Sequence, residues 1–221
     1  MSGSYSRMNQ ITSFGFSERW RRRCVEEMEI EKGKTVVDLM TGMGECWKYI
    51  LKESDSNSKL IGLDFSSEMI NRAEKNKAKF ENSKIELLKE NIFDNSIANE
   101  TADVVISGFG LKTFDEEQLG KLANEIARIL KPNGKFSLID VSVPSSKFLK
   151  PFYMFYLQKV IPILGKLFLG SPETYRMLGV YTEAFGNSKN VYQIFSKLEF
   201  EVEYVEYFYG CASGIKGRKI G

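Results

Sequence analysis

The chain contains no histidine, although it is 221 residues long. This absence excludes a Ser-His-Asp triad, a zinc site built on imidazole ligands and a histidine general base. Any chemistry must therefore use carboxylates, lysine, tyrosine, serine or bound water, and no metal site is expected.

Cysteine is scarce, with Cys24, Cys46 and Cys211 as its three positions. An odd number of dispersed cysteines, without metal-ligand spacing and without a secretion signal, predicts a protein of the reducing cytoplasm. Long apolar runs are missing too, since no stretch approaches the roughly 20 residues that a membrane span needs.

Neither sign of charge dominates, because 31 basic and 29 acidic residues leave a net charge of +2. This balance argues against a nucleic-acid partner. The local cluster Arg19, Arg21, Arg22 and Arg23 is interpreted as the solvated face of a helix. The length suits one domain with a proper core and an added helical cap.

What the sequence does contain is a strand followed by a glycine turn. Residues Thr35 to Leu39 are typical of a buried strand, and Gly42 and Gly44 follow it. The pattern then turns helical from Glu45 to Lys52. An α/β fold holds nucleotide-like ligands at such a turn, because glycines let the backbone approach and the helix presents free N–H groups.

The spacing around this turn favours one ligand class over two others. A dinucleotide fingerprint needs a third glycine where Trp47 stands, which disfavours an NAD-dependent oxidoreductase. No P-loop Lys-Ser or Lys-Thr follows either. S-adenosylmethionine, an adenosine ligand without phosphates, is the remaining common candidate, and a purely structural turn stays an alternative.

The next predicted strand, Lys59 to Asp64, ends in an acid. Asp64 lies about 20 residues after the glycine turn, where a carboxylate can accept both ribose hydroxyls. A strand-end or capping carboxylate is the alternative interpretation. Ser66 is predicted to cap a helix that runs through Met69 to about Lys79.

The following elements continue to alternate between strands and helices. Further strands are predicted at Lys84–Lys89, Ala102–Ser107 and Phe136–Val141. Further helices are predicted at Ser17–Met28, capped by Ser17, and at Asp115–Leu130, opened by a capping box of Asp115 and Gln118 and stopped by residues 131–134. Five strands alternating with four helices predict a parallel sheet with right-handed crossovers.

An aromatic stretch from Lys147 to Gly170 breaks this alternation. Pro151 and Pro162 within it exclude one straight helix. Beyond it, a helix is predicted to open at Ser171-Pro172, another to cover Ser188–Lys197, and Phe200–Tyr209 and Cys211–Ile220 to pair as a final antiparallel hairpin.

Several motifs extend along nearly the whole chain. General to many methyltransferases are Asp-Leu-x-x-Gly-x-Gly-Glu at 38–45 and the acid at Asp64. The motifs at the N-terminus and from the fifth strand onwards are more family-specific: Tyr5-x-x-Met8-Asn9, Ser13-x-Gly15 with Arg19-Trp20-Arg21, Asp140-x-Ser142-x-Pro144, Ile161-Pro-x-x-Gly165 and Tyr175-Arg176-x-Leu178. Phe109-Gly110-Leu111 and residues 128–134 match as well. Together they resemble the ubiquinone/menaquinone biosynthesis C-methyltransferases.

The resemblance implies a single domain with a doubly wound, seven-stranded, mostly parallel sheet, the Rossmann-like methyltransferase fold, with S-adenosylmethionine as cofactor. An N-terminal helical cap is expected at residues 1–33. The residues expected to bind the cofactor are Asp38, Gly42, Met43, Gly44, Asp64, Phe65, Met69, Asn91, Ile92, Ser107 and Gly108. Those expected to contact the acceptor are Tyr5, Met8, Phe16, Trp20, Phe109, Phe152 and Tyr153.

The chain departs from the family pattern mainly near the acceptor. Ser6 replaces an acidic residue of the family, and an imidazole often found before the Arg-Trp pair is missing, with Phe16 nearby. Lys112-Thr113 replaces Arg-Asn, and Ile215-Lys216-Gly217 replaces His-x-Gly. Cofactor use is therefore better determined than the acceptor. A C- or O-methyltransferase of a specialised-metabolite pathway and a non-catalytic S-adenosylmethionine-binding protein stay as alternatives.

C-methylation of a quinol-type ring needs a phenolate-like acceptor, hence a base or a cation that stabilises the oxyanion. Without histidine, Lys112 is the first candidate for either role, and Tyr175 and Asp140 are second candidates. The alternatives are a surface lysine for Lys112 and simple helix packing for Tyr175.

The aromatic stretch is expected to form a helical lid, within residues 145–198, over an acceptor with a long apolar tail. Its composition would also allow the protein to rest on a membrane surface. Burial in the core or in a homodimer interface is the competing interpretation.

Overall fold

The computed structural model of the protein describes residues 15–52, 54–164 and 172–221, and in the helix from 172 to 185 it describes side chains from residue 177 onwards. The predicted positions Tyr5 and Met8, the predicted cap Ser171 and the side chain of Tyr175 lie outside the described residues.

One seven-stranded sheet forms the centre of the fold. Its strands are β1 Thr35–Leu39, β2 Lys59–Leu63, β3 Lys84–Leu88, β4 Ala102–Gly108, β5 Leu130–Val141, β6 Phe200–Tyr207 and β7 Ala212–Lys219. Their order is β3-β2-β1-β4-β5-β7-β6. The first five strands in this order pair in parallel, and β7 is antiparallel to both neighbours. The predicted doubly wound, mostly parallel sheet and its C-terminal hairpin are confirmed.

Helices cover both faces of the sheet. They are α1 Phe16–Glu26, α2 Trp47–Ile50, α3 Ser67–Lys77, α4 Glu116–Ile129, α5 Leu149–Phe155, α6 Pro172–Phe185 and α7 Lys189–Phe195, with a 3₁₀ turn at Leu111–Thr113 and a π-helical turn at Tyr156–Val160. Helices α4 and α7 form a first apolar core on one face. Helices α1, α2 and α3 form a second core on the other. Because the central parallel strands are covered on both faces, they are apolar runs rather than alternating ones.

Of the three predicted helix caps that lie within the described residues, two are confirmed. The Ser66 hydroxyl accepts the Met69 N–H, and Asp115 and Gln118 form the predicted capping box. The expected cap at Ser17 is wrong, because α1 begins one residue earlier, after Gly15, and has no side-chain cap.

Strand β5 begins at Leu130, earlier than the predicted Phe136. The cause is a bulge, because Leu130 pairs with Ala102 but the next pair joins Lys135 to Val104. Residues 131–134, which were predicted to stop the helix, follow the end of α4 at Ile129. They form the part of β5 that does not pair with β4.

The aromatic stretch is helical from Leu149 to residue 164. Pro151 does not interrupt it, contrary to the expectation, because it lies in the first turn of α5, where no N–H partner is needed. The π-helical turn ends at Val160, two residues before Pro162, which cannot donate a helical hydrogen bond. Among the described residues, no helix has both the length and the apolar character needed to cross a bilayer.

Candidate functional site

The predicted cofactor residues come together at one edge of the sheet, where the parallel strands end. The segments that leave β1 and β4 lie side by side there, because the two strands pair in parallel and their helices cover opposite faces. This position is the topological switch point, at which open α/β sheets bind ligands.

The glycine turn after β1 is shaped by Trp47 from below. Gly44 has a φ of 82°, and a Cβ there would lie 2.4 Å from the indole ring. The ring is fully buried in the second core, and its Nε1 donates a hydrogen bond of 2.8 Å to the Thr41 hydroxyl. The bulky residue at the third glycine position therefore supports the turn from within the core.

Asp38 lies beneath the same turn. Because the Trp47 N–H can only donate, the Thr41 hydroxyl accepts from it and donates its own proton to Asp38 Oδ2 at 2.5 Å. Burial raises the pKa of Asp38 to about 7, although the bond from Thr41 opposes the shift. The structure thus places Asp38, which was expected at the cofactor, in a buried chain of hydrogen bonds that holds the turn.

Asp64 lies at the end of β2, next to the glycine turn. One carboxylate oxygen accepts the Gly42 N–H and the other accepts the Ser66 N–H, both at 2.9 Å. A carboxylate has about four lone-pair sites, so two stay available for further donors. The site therefore fits the two hydroxyls of a ribose.

Polar groups of the turn itself are fixed from two sides. The Met43 N–H donates to Glu45 Oε2 at 2.9 Å, and Asn76 on α3 donates to the carbonyl oxygen of Met43 at 3.1 Å. No pattern in the sequence indicates this role of Asn76, because its distance from the turn along the chain gives no local signal.

The expected adenine side is more open. Phe65 is 77% exposed, while Ile92 is buried and Met69 is half-buried. The Asn91 side-chain oxygen accepts the Phe93 N–H at 2.9 Å. The Asn91 side chain thus forms a local turn.

Ser107, near the end of β4, is fully buried, and its Oγ has no hydrogen-bond partner among the described residues. An unpaired buried hydroxyl is costly, so such groups usually mark strain or an absent partner. The neighbouring Gly108 faces Cys46, whose Sγ would lie 2.7 Å from a Cβ at that position.

The catalytic candidates Lys112 and Asp140 are in direct contact. Lys112 Nζ lies 2.7 Å from Asp140 Oδ1, and the other oxygen accepts the N–H groups of Gly110 and Lys112 at 2.9 and 3.0 Å. Asp140 is fully buried and the lysine side chain nearly so. Lys112 is therefore not the surface lysine of the alternative interpretation.

Four of the expected acceptor residues share one apolar cluster. Trp20 belongs to the second core, and Phe16, Phe109 and Tyr153 pack against it. The Tyr153 hydroxyl donates to the Cys211 carbonyl oxygen at 3.0 Å. Burial also raises its pKa, so it is held as a neutral phenol. The structure does not bring Phe152 into this group, because its side chain faces outwards.

Arg21 is the residue that the sequence analysis most clearly missed. The solvated-face interpretation suits Arg22 and Arg23, which are each 51% exposed, but is wrong for Arg21, at 11%. Arg21 lies 3.5 Å from Glu45 and stacks on Phe109. The signal was its spacing, since it precedes the buried Val25 and Met28 by four and seven residues.

Comparison with known proteins agrees with this geometry. A demethylmenaquinone methyltransferase of Lactococcus lactis subsp. lactis is 36% identical over 207 residues, which cover 92% of this chain and 81% of the relative. Another, of Alkalihalophilus pseudofirmus, is 31% identical over 219 residues, which cover 97% of this chain and 92% of the relative.

Solved structures share the fold. An S-adenosylmethionine-dependent methyltransferase from Aquifex aeolicus matches with a TM-score of 0.64 at 20% identity, covering 90% of this chain and 89% of that one. The profile of the ubiE/COQ5 methyltransferase family matches residues 1–219. The chain therefore belongs to the ubiE/COQ5 methyltransferase family and is an S-adenosylmethionine-dependent methyltransferase.

Proposed function

We propose that this chain methylates a ring carbon of a quinol-type acceptor that carries an apolar tail. The observation that carries the proposal is the cation of Lys112, held beside the end of β4 by the buried Asp140. The relatives named demethylmenaquinone methyltransferase support the same acceptor class.

The cofactor residues divide into three proposed roles. Bound S-adenosylmethionine supplies an electrophilic methyl group on a sulfonium. Asp64 accepts the ribose hydroxyls, since its two oxygens keep free lone pairs. The backbone of residues 42–44 and 107–108 surrounds the methionine end, with Asp38 as support from below. On the adenine side, the contacts come from Phe65, Met69, Asn91 and Ile92.

Lys112 is proposed to stabilise negative charge on the acceptor oxygen. An ammonium group carries three donors and no acceptor, so an ion-paired Lys112 suits oxyanion stabilisation better than proton abstraction. Asp140 positions it and also fixes the loop after β4 through two N–H groups. Holding the acceptor in line with the methyl group can contribute roughly 7–11 kcal/mol to the lowering of the barrier. Tyr175 stays the second candidate.

The test is a reaction of the protein with methyl-deuterated donor and a demethylmenaquinol, followed by mass spectrometry. We expect one deuterated methyl group on a ring carbon, identified by fragmentation. Lys112→Met should lower turnover by about 100-fold, the size typical for loss of one oxyanion donor. Lys121→Met, a lysine paired with Glu117 on the surface of α4, is the matched control and should keep full turnover.

Three results would contradict the proposal. Full turnover in both Lys112→Met and Tyr175→Phe would remove both proposed roles. A methyl group on oxygen, or labelling of other lipophilic compounds in a cell extract but not of the quinol, would favour the specialised-metabolite alternative. Cofactor binding without any transfer would favour the non-catalytic one.

We also propose that α5 is a lid whose outer face rests on an anionic membrane surface. Phe148 is 85% exposed, and Phe152 and Phe155 face solvent on the same side. The exposed Lys147, Lys150 and Lys159 flank these rings. Apolar rings flanked by lysines match an interface in which the rings enter the acyl boundary and the lysines meet anionic headgroups.

Flotation with vesicles that contain anionic lipid tests this surface. The wild-type protein should float with the vesicles, and the double variant Phe148→Ser, Phe152→Ser should not. The double variant Tyr192→Ser, Phe65→Ser, which removes exposed rings elsewhere, is the control. Equal flotation of all three proteins would contradict the proposal, as would a homodimer that only the Phe148, Phe152 variant loses.

A further inference from the structure

Arg21 occupies the gap between the ends of β1 and β4. A Cβ on Gly108 would lie 3.3 Å from Arg21 Cγ, which shows how closely α1 approaches the end of β4. The guanidinium lies 4.5 Å above the centre of the Phe109 ring and 3.5 Å from Glu45 Oε1. A side chain from the first helix thus brings a positive charge to the topological switch point.

This charge is only loosely paired. The side chain is 11% exposed, and burying a charge is costly unless it gains close partners. Its 3.5 Å separation from Glu45 exceeds the roughly 2.7–2.9 Å of a charge-assisted hydrogen bond. Glu45 Oε2 meanwhile accepts the Met43 N–H. Among the described contacts of Arg21, one ion pair and one ring contact leave most of its five donors available.

We propose that Arg21 binds the α-carboxylate of the donor's methionine end. This part of S-adenosylmethionine is a zwitterion, so its carboxylate needs a cation, and the planar fork of arginine matches a carboxylate in two hydrogen bonds. Lys112, at the same edge of the sheet, is held by Asp140 at 2.7 Å and is the cation proposed for the acceptor oxygen. Helix α1 is therefore part of the cofactor site and not merely a cover over the acceptor.

Two ligands that differ by one group test the proposal. S-adenosylmethionine and its decarboxylated form share every atom except the carboxylate, and calorimetry gives the affinity of each. Arg21→Met should weaken S-adenosylmethionine about 10- to 100-fold, the factor for losing a hydrogen bond to a charged group. It should leave the decarboxylated ligand unchanged. Arg22→Met, on the exposed side of the same helix, should change neither affinity.

Equal weakening of both ligands would overturn the proposal, because Arg21 would then only support the glycine turn. Unchanged affinity for both would overturn it as well. If Arg21→Met does not fold, Arg21→Gln keeps part of the side chain over Phe109 and must show the same selective loss. The measurement requires no acceptor, so its outcome is independent of the proposed quinol chemistry.

Discussion

Lys112 Nζ lies 2.7 Å from Oδ1 of Asp140, and this ion pair ties the end of β5 to the loop that follows β4. Asp140 is fully buried and also accepts the N–H groups of Gly110 and Lys112. One carboxylate thus fixes both the shape of the loop and the position of the cation beside it.

Lys112→Met should destabilise the protein by about 3–5 kcal/mol, because removal of one partner leaves a buried charge uncompensated. The pair of Lys131 with Asp103 is also short, at 2.8 Å, but more exposed, so Lys131→Met should cost less than about 1 kcal/mol. Urea unfolding measures both free energies. Equal losses in the two variants would show that burial does not set the strength of these pairs.

Asp38 should make stability depend on pH. Its pKa is about 7 in the folded protein against an ordinary 3.8. The folded state therefore holds the proton more tightly, and this contribution is complete below about pH 4 and is lost as the pH rises through about 7. Asp38→Asn cannot titrate. Between about pH 4 and pH 8, wild type should lose up to about 4 kcal/mol relative to the variant.

Urea unfolding of both proteins across this pH range measures the difference. Parallel pH profiles would show that Asp38 titrates normally and that its burial does not oppose ionisation.

Gly44→Ala should disrupt the glycine turn. The new Cβ would meet the Trp47 ring at 2.4 Å, and the φ of 82° is unfavourable for alanine. We expect a loss of stability of about 2 kcal/mol or more, together with weaker cofactor binding. Gly120→Ala in α4, where a Cβ meets nothing within 4 Å, is the control and should stabilise by about 0.5–1 kcal/mol. Thermal unfolding and calorimetry with S-adenosylmethionine distinguish the two glycines.

Ser107→Ala should raise stability and lower cofactor affinity together. Removing a buried hydroxyl without a described partner relieves a cost of about 1–3 kcal/mol in the ligand-free protein. If the cofactor is the missing partner, the same change weakens its binding. A stabilised variant with unchanged affinity would show that the hydroxyl has no role at the ligand.

Local residue patterns determined much of this protein. The apolar run Thr35–Leu39, the glycines after it and the caps at Ser66 and Asp115 predicted elements that the structure confirms. These signals act through neighbours along the chain, such as an N–H of the first helical turn or the steric freedom of glycine, so the sequence alone expresses them. Motif spacing likewise predicted the cofactor class before any contact was known.

Tertiary structure decided what each side chain meets. In the sequence, Trp47 indicated only that a dinucleotide ligand is disfavoured. In the folded protein its ring packs under Gly44, and its hydrogen bond to Thr41 connects it to Asp38. Lys112 and Asp140 are 28 residues apart, so no local pattern predicted their ion pair. Arg21 was expected at the surface because it is charged, and the structure buries most of its side chain. Such contacts join segments that only the folded sheet and its helices bring together, and the burial that sets their strength does not exist in the extended chain.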